Sequence, residues 1–380
     1  MLLELSETQK SIRDTSRNFA RDVVAPKARQ TDREERFPSA VYRQMGELGL
    51  LGINVPAAYG GAEAGAVSYA LAMIEVSAAC CSTSVGMAVT NMCAELISAF
   101  GTEAQKQKFV TRLVSGEAVA GAFALSEAQA GSDPGAMMTT ATLEGEQWVI
   151  NGSKQWITSG AHAGVMVVWA RTGAAGNKGL SCFIVEKGTP GLSAGRPEDK
   201  MGLRGSNTVP LTFENCRIPA DHLLGKLGDG FKLAMTALDG GRIGIASQAC
   251  GLGRAAIEAS TRYAKDRQAF GKSIAEFQGI SFMLADMATQ QQAAELLTLR
   301  AAQLKEAKQP FSREASMAKL FASEMSNRVA DRAVQIHGGA GYVDEFPVER
   351  YLRDARVQTI YEGTSEVQRI VIARESFKGL

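Results

Sequence analysis

Three short stretches hold residue types that could do chemistry. In Ile360-Tyr361-Glu362-Gly363-Thr364-Ser365-Glu366-Val367-Gln368-Arg369 a carboxylate stands between an aromatic ring and a glycine. It directly precedes a Thr-Ser pair that reads as a helix start. In Ala124-Leu125-Ser126-Glu127-Ala128-Gln129-Ala130-Gly131-Ser132-Asp133-Pro134-Gly135-Ala136 small, hydrogen-bonding residues follow a strand end. Such a loop lets N–H groups and hydroxyls come close to a flat polar ligand. In Gln335-Ile336-His337-Gly338-Gly339-Ala340-Gly341-Tyr342 three glycines fall in four positions, marking a place where a phosphate or another backbone lies near. Singly, each has an ordinary explanation: a Gly-rich loop is commonly a turn, and a Glu beside a Gly is commonly solvated. Their joint occurrence, in this order and spacing, points to a site.

Other chemistries are disfavoured. Only His162, His222 and His337 are present, none at a helix-borne metal spacing, so no metal is expected. Cys80, Cys81, Cys93, Cys182, Cys216 and Cys250 form no C-x-x-C pair and read as reduced, mostly buried thiols. The 41 basic and 40 acidic residues leave a net charge of +1, which argues against a dedicated nucleic-acid binder. No run of 18 apolar residues offers a membrane span. The N-terminal Leu2, Leu3 and Leu5 are too few for a signal core, and Asp14, Asp22 and Glu34 suit an organelle presequence poorly. The simplest compartment is a bacterial cytoplasm, with a processed organellar chain as the alternative.

The elements that must position these stretches follow from proline and periodicity. The 380 residues suggest two or three domains. Five of the ten prolines lie between 121 and 230, and none between 220 and 309, so the second tract reads as helices. Ser6 and Gln9 form a capping-box pattern, and 66–100 reads as buried helix after the loop Tyr59–Ala66. In the middle, Gln147–Ile150, Val165–Trp169 and Cys182–Val185 read as strands, and Asn151-Gly152 reads as a hairpin turn. Ile280, Met283, Leu284, Met287, then Ala294, Leu297, Ala301 and Leu304, keep a helical period. Helices, strands, helices, without βαβ alternation, argue against a doubly wound sheet. Two motifs mislead: Gly251-Leu252-Gly253 lies in strand-free helix and predicts close helix packing, and Gly271-Lys272-Ser273 lacks the earlier glycine of a phosphate loop.

With LSEAQAGSD at 125–133 and QIHGGAGY at 335–342, continued by Glu345, Arg350 and Asp354, the chain resembles the acyl-CoA dehydrogenase family over about residues 5–375. It is most like the short-chain and short-branched-chain members. The resemblance implies an α+β multidomain fold: an N-terminal helical domain (1–120), a middle β-sandwich or barrel domain (121–230) and a C-terminal four-helix bundle (231–380). It implies FAD between the β domain and the helices, and a reaction that takes a proton from Cα and a hydride from Cβ of an acyl thioester. Glu362 matches the family base. The alternative base position on an earlier helix is Gly241 here, which cannot act as one.

Carried over residue by residue, Phe123, Leu125 and Ser126 match the flavin's pyrimidine edge. Trp156, Ile157 and Thr158 match a segment covering the ring and reaching N5. Arg267, Phe270 and Gln278, with Gln335, Ile336, Gly338 and Gly339, resemble the two halves of a cross-subunit FAD contact. Thr364 and Glu366 follow the base on the cofactor side. Ser132, Asp239, Arg242 and Gly363 fall to the substrate, although Asp239 and Arg242 also read as an intrahelical ion pair. Ala128-Gln129-Ala130 departs from the usual proline-containing run, and Phe123 lacks a hydroxyl found in some relatives. The expected partners are an acyl-CoA, an electron-transfer flavoprotein and further copies of the chain, normally a tetramer. An O2-using flavin oxidase on the same scaffold, or a scaffold that has lost flavin, are the rival readings.

Overall fold

The computed structural model describes residues 4–378; Leu2 and Leu3 of the presequence reading lie outside them. The Ser6 capping box forms, with Ser6 Oγ accepting from Gln9 N at 3.2 Å and Gln9 Oε1 from Ser6 N at 3.0 Å. It starts α1 (Glu7–Phe19), followed by α2 (Ala25–Arg33) and α3 (Ser39–Glu47). The apolar 66–100 tract is two helices, α4 (Gly65–Ala79) and α5 (Cys81–Phe100), broken where Cys80 turns extended at φ −162°, ψ 112°. Both are buried nearly all round, as helices without a polar face must be. Short α6 (Glu103–Gln105) and α7 (Thr111–Val114) close the first helical region.

The middle region is one mixed sheet of β1 (Gly121–Ala124), β2 (Thr140–Glu144), β3 (Gln147–Thr158), β4 (Val165–Arg171), β5 (Leu180–Glu186), β6 (Leu192–Ala194), β7 (Thr208–Pro219) and β8 (Leu223–Leu224). Its order is β6-β7-β3-β2-β4-β5-β8, with β1 parallel to β4. Strands β4 and β5 are apolar on both faces for a reason. Met166, Val168, Ala170, Phe183 and Val185 join the sheet's own core, while Val165, Val167, Trp169, Leu180, Cys182 and Ile184 pack on helices. Strands covered on both sides read as continuous apolar runs.

The expected turn at Asn151-Gly152 is corrected. β3 runs straight through it, pairing with β2 and β7, and Gly152 (φ 141°) sits at a register shift. The turn falls at Gly145 (φ 62°). Two flanking strands outweigh a local turn signal: Asn151 Oδ1 accepts from Asn215 N at 2.7 Å, and a Cβ on Gly152 would meet Thr139 within 3 Å.

The last region opens with α8 (Gly230–Asp266), then a ribbon of β9 (Gln268–Ala269) and β10 (Lys272–Ser273). Helices α9 (Gln278–Glu306), α10 (Ser312–His337), α11 (Val348–Arg356) and α12 (Ser365–Phe377) follow. α8, α9, α10 and α12 pack together, with α4 against α8. Gly251 and Gly253 serve packing: a Cβ there would meet Ile74 O at 2.4 Å and Gln291 Oε1 at 2.3 Å. Gly271 is the turn of the β9–β10 ribbon.

Candidate active site

Glu362 lies in the loop between α11 and α12 with a left-handed backbone, φ 53°. The residue is half-buried, but its Oε2 is sealed from solvent and has no hydrogen-bond partner. Desolvation pushes its carboxyl up to about 7, against the opposing pull of Arg242 and Lys319. The loop is pinned from below. Lys319 Nζ donates to Gly363 O at 2.7 Å, and Gln368 Nε2 donates to Glu362 O at 3.1 Å and Gly363 O at 2.9 Å. Thr364 caps α12 by accepting from Val367 N at 3.3 Å. No protein acceptor among the described residues meets the Glu362 N–H, which leaves a backbone donor beside the carboxylate.

The wall opposite Glu362 is α8. A Cβ on Gly241 would stand 2.5 Å from Glu362 Oε2 and 3.2 Å from Met92 Sδ, so the glycine makes room for the carboxylate. Arg242, one residue on, is buried and bonds Asp239 at 2.5 Å and Ser316 Oγ at 3.3 Å. Ser312 holds the other Asp239 oxygen. The intrahelical ion pair and a place beside the base are therefore both realised. Tyr69 and Cys93 face Glu362 from α4 and α5.

Met92 and Cys93 share an apolar cluster with Leu125, Phe123 and Leu238, which connects the base to the sheet. Phe123 packs on Trp169 at 4.3 Å. Ser126 O accepts from Gln155 N at 2.9 Å, tying the loop after β1 to β3. A bulge between Lys154 and Ile157 turns Trp156 outward at φ 63°, leaving its ring 60% exposed while Ile157 stays in the core. Behind both segments lies an ion pair that sequence reading missed. Lys154, fully buried, bonds Glu127 at 2.8 Å and Leu125 O at 3.1 Å. Glu127 also accepts from Met138 N at 2.6 Å and Thr139 N at 3.0 Å. Against the cost of burial, Lys154 and these donors hold its carboxyl down at about 2. Burial brings the Lys154 ammonium down to about 8.

The other expected residues are spread more widely. Thr364 and Glu366 flank the base, and Ser132 is exposed on the loop after β1. Arg267, Phe270, Gln278, Gln335, Gly338 and Gly339 are exposed at the far end of the bundle, where Tyr263 stacks on His337 at 4.3 Å. From Arg242 to its end α8 runs about 36 Å, at ~1.5 Å per residue. Ile336 turns its side chain into the core, so only its backbone is free to touch a ligand. Lys319 and Gln368 were also missed. Lys319 lies on a stripe of small buried residues with Ala315, Ala322 and Ser326, and a lysine on such a stripe is the signal that could have exposed it.

The residues present fit a flat polar cofactor: the Trp156 indole is held out of the sheet, and the Ser126 and Thr158 hydroxyls have no protein partner among the described residues. The sequence matches the acyl-CoA dehydrogenase N-terminal domain over 6–117, middle domain over 122–216 and C-terminal domain over 228–377. The chain belongs to the acyl-CoA dehydrogenase family, FAD-dependent oxidoreductases acting on acyl-CoA. It is 50% identical to the mitochondrial short-chain specific acyl-CoA dehydrogenase of Mus musculus, covering 98% of this chain and 90% of that one. Butyryl-CoA dehydrogenase from Megasphaera elsdenii superposes with a TM-score of 0.97 at 40% identity, covering 99% and 100% of the two chains. A chain from a study of the electron transferring flavoprotein of Acidaminococcus fermentans and flavin-based electron bifurcation gives 0.98 at 44% identity, covering 100% of both. No helix of the described residues is long and apolar enough to cross a membrane.

Proposed function

We propose that this protein dehydrogenates short or short-branched acyl-CoA thioesters to trans-2-enoyl-CoA and passes the electrons to an electron-transfer flavoprotein. The observation that carries it is Glu362: a carboxylate with a sealed, unpartnered oxygen, poised near neutral pKa, with Gly241 making room for it. Bound FAD supplies the hydride acceptor for the Cβ hydrogen. Glu362 takes the Cα proton, and its free backbone N–H steadies the thioester oxygen, a donor of a kind worth about 3 kcal/mol. Gly241, Met92 and Leu238 keep water from the carboxylate. Phe123, Leu125, Ser126, Trp156, Ile157 and Thr158 would hold the ring, with Thr364 and Glu366 beyond it. Ser132, Asp239, Arg242 and Gly363 would serve the substrate side.

Arg267, Phe270, Gln278, Gln335, Ile336, Gly338 and Gly339 lie too far along α8 and α10 to serve the site at Glu362. They fit the reading that they complete a neighbour's cofactor site in a homotetramer of three-domain subunits (1–120, 121–230 and 231–380). No arginine lies between 66 and 100 to hold a second carboxylate, which disfavours glutaryl-type substrates, and a short acyl group follows from the overall resemblance. On this reading the protein works in a bacterial cytoplasm, or in the mitochondrial matrix for a processed chain. The test is a kcat/KM series over C4 to C16 acyl-CoAs with an artificial acceptor, run beside oxygen uptake. A maximum at C12 or above, or turnover on O2 alone, overturns the reading.

A further inference from the structure

We propose that Lys319 is a positioning residue that sets the proton affinity of the base: its buried ammonium fixes the Gly363 carbonyl and keeps an unneutralised positive charge beside Glu362. The proposal rests on Glu362 being the base. Lys319 is fully buried, and its one hydrogen bond goes to Gly363 O at 2.7 Å. Among the described residues it forms no ion pair. Of the two cations facing Glu362, Arg242 is already matched by Asp239 at 2.5 Å, and Lys319 is not.

Of the other titratable groups around the base, Glu366 is ionised at the surface and makes no contact with Lys319, and the buried ones carry no charge at neutral pH. Tyr69 on α4, Cys93 on α5 and Tyr361 in the same loop are all pushed up by burial. Lys319 itself is faced by Glu324 of its own helix, by Glu366 of α12 and by Arg242 of α8. Burial lowers its ammonium to about 8, and it stays protonated at pH 7. A buried lysine with no carboxylate in contact is costly. It is placed where that cost supplies what a base needs, a field that limits how far desolvation raises the carboxyl. The carbonyl bond adds direction, because it holds the residue next to Glu362.

The test is the pH dependence of kcat/KM with butyryl-CoA in flavin-loaded wild type, K319Q, K319M and K319R. The wild-type profile rises with pH to a plateau, with its midpoint near the Glu362 value. K319Q keeps a donor for the carbonyl but removes the charge. Its midpoint should move up by roughly one unit, giving about tenfold loss at pH 6 that fades by pH 9. K319M should shift alike and also lower the plateau, while K319R restores the midpoint. A readout without turnover uses the melting temperature: the gain from adding Glu362→Gln stops growing at the folded pKa of Glu362, and that point should move up in K319Q. An unmoved midpoint in K319Q, whatever its plateau, overturns the proposal. If E362Q keeps its turnover, the assignment of the base falls instead, so the two failures are distinguishable.

Discussion

In the middle region Glu127 and Lys154 meet at 2.8 Å, whereas in the helical region Lys319 lies beside Glu362, bonded to the next residue's carbonyl, without bonding the carboxylate. Both carboxylates are desolvated. Glu127 accepts from an ammonium and two backbone N–H groups and is driven down to about 2. Glu362 keeps one oxygen without a partner and is driven up to about 7. Burial alone therefore does not make a carboxylate a base. A buried carboxylate whose lone pairs are satisfied becomes an anchor, and one left unsatisfied becomes a proton acceptor.

Glu362→Gln should make the largest difference. Loss of the base lowers turnover by about 10²–10⁴-fold, while the yellow colour and absorbance of bound flavin persist. Loss of flavin along with activity would show that Glu362 is an anchor like Glu127. Next is Lys154→Met, which strands Glu127 and should cost about 3–5 kcal/mol of stability in denaturant titration. Because Lys154 braces both Leu125 and the strand leading to Trp156, flavin should also dissociate more readily. Unchanged cofactor retention would confine the pair to folding.

Gly241→Ala places a methyl 2.5 Å from Oε2. It should lower kcat about tenfold with little change in melting temperature, and a structure of the variant should show Glu362 turned aside. The smallest effect is on stability against pH. The folded pKa of Glu362 lies above its ordinary 4.5, so ionising it destabilises the fold as pH rises from 4.5 through 7. E362Q should then melt above wild type at pH 8 and level with it at pH 4. Glu127 has the opposite sign: its contribution is present above the ordinary carboxylate range and is lost as pH falls toward 2.

Much of this was legible in the chain. The helix–strand–helix order follows from proline placement and periodicity, and the Ser6 and Thr364 caps read correctly because a cap involves only neighbouring residues. The Asn151-Gly152 turn misread for the opposite reason: whether such a pair turns or bulges depends on strands that pair on either side of it. Lys154 and Lys319 were invisible as site residues because each looks, in one dimension, like any surface lysine. Only packing puts both among the largest fully buried side chains.

The sequence by itself determined the motifs, the candidate base and the exclusion of Gly241 as its alternative. These are matters of residue identity and spacing. Only the tertiary structure decided which glutamate is neutralised and which is free. It also decided that the Arg267 and Gly338 segments lie at the opposite end of α8 from Glu362. Both outcomes depend on distances between residues remote in the chain, since an ionisable group takes its character from the partners that folding places within hydrogen-bonding reach.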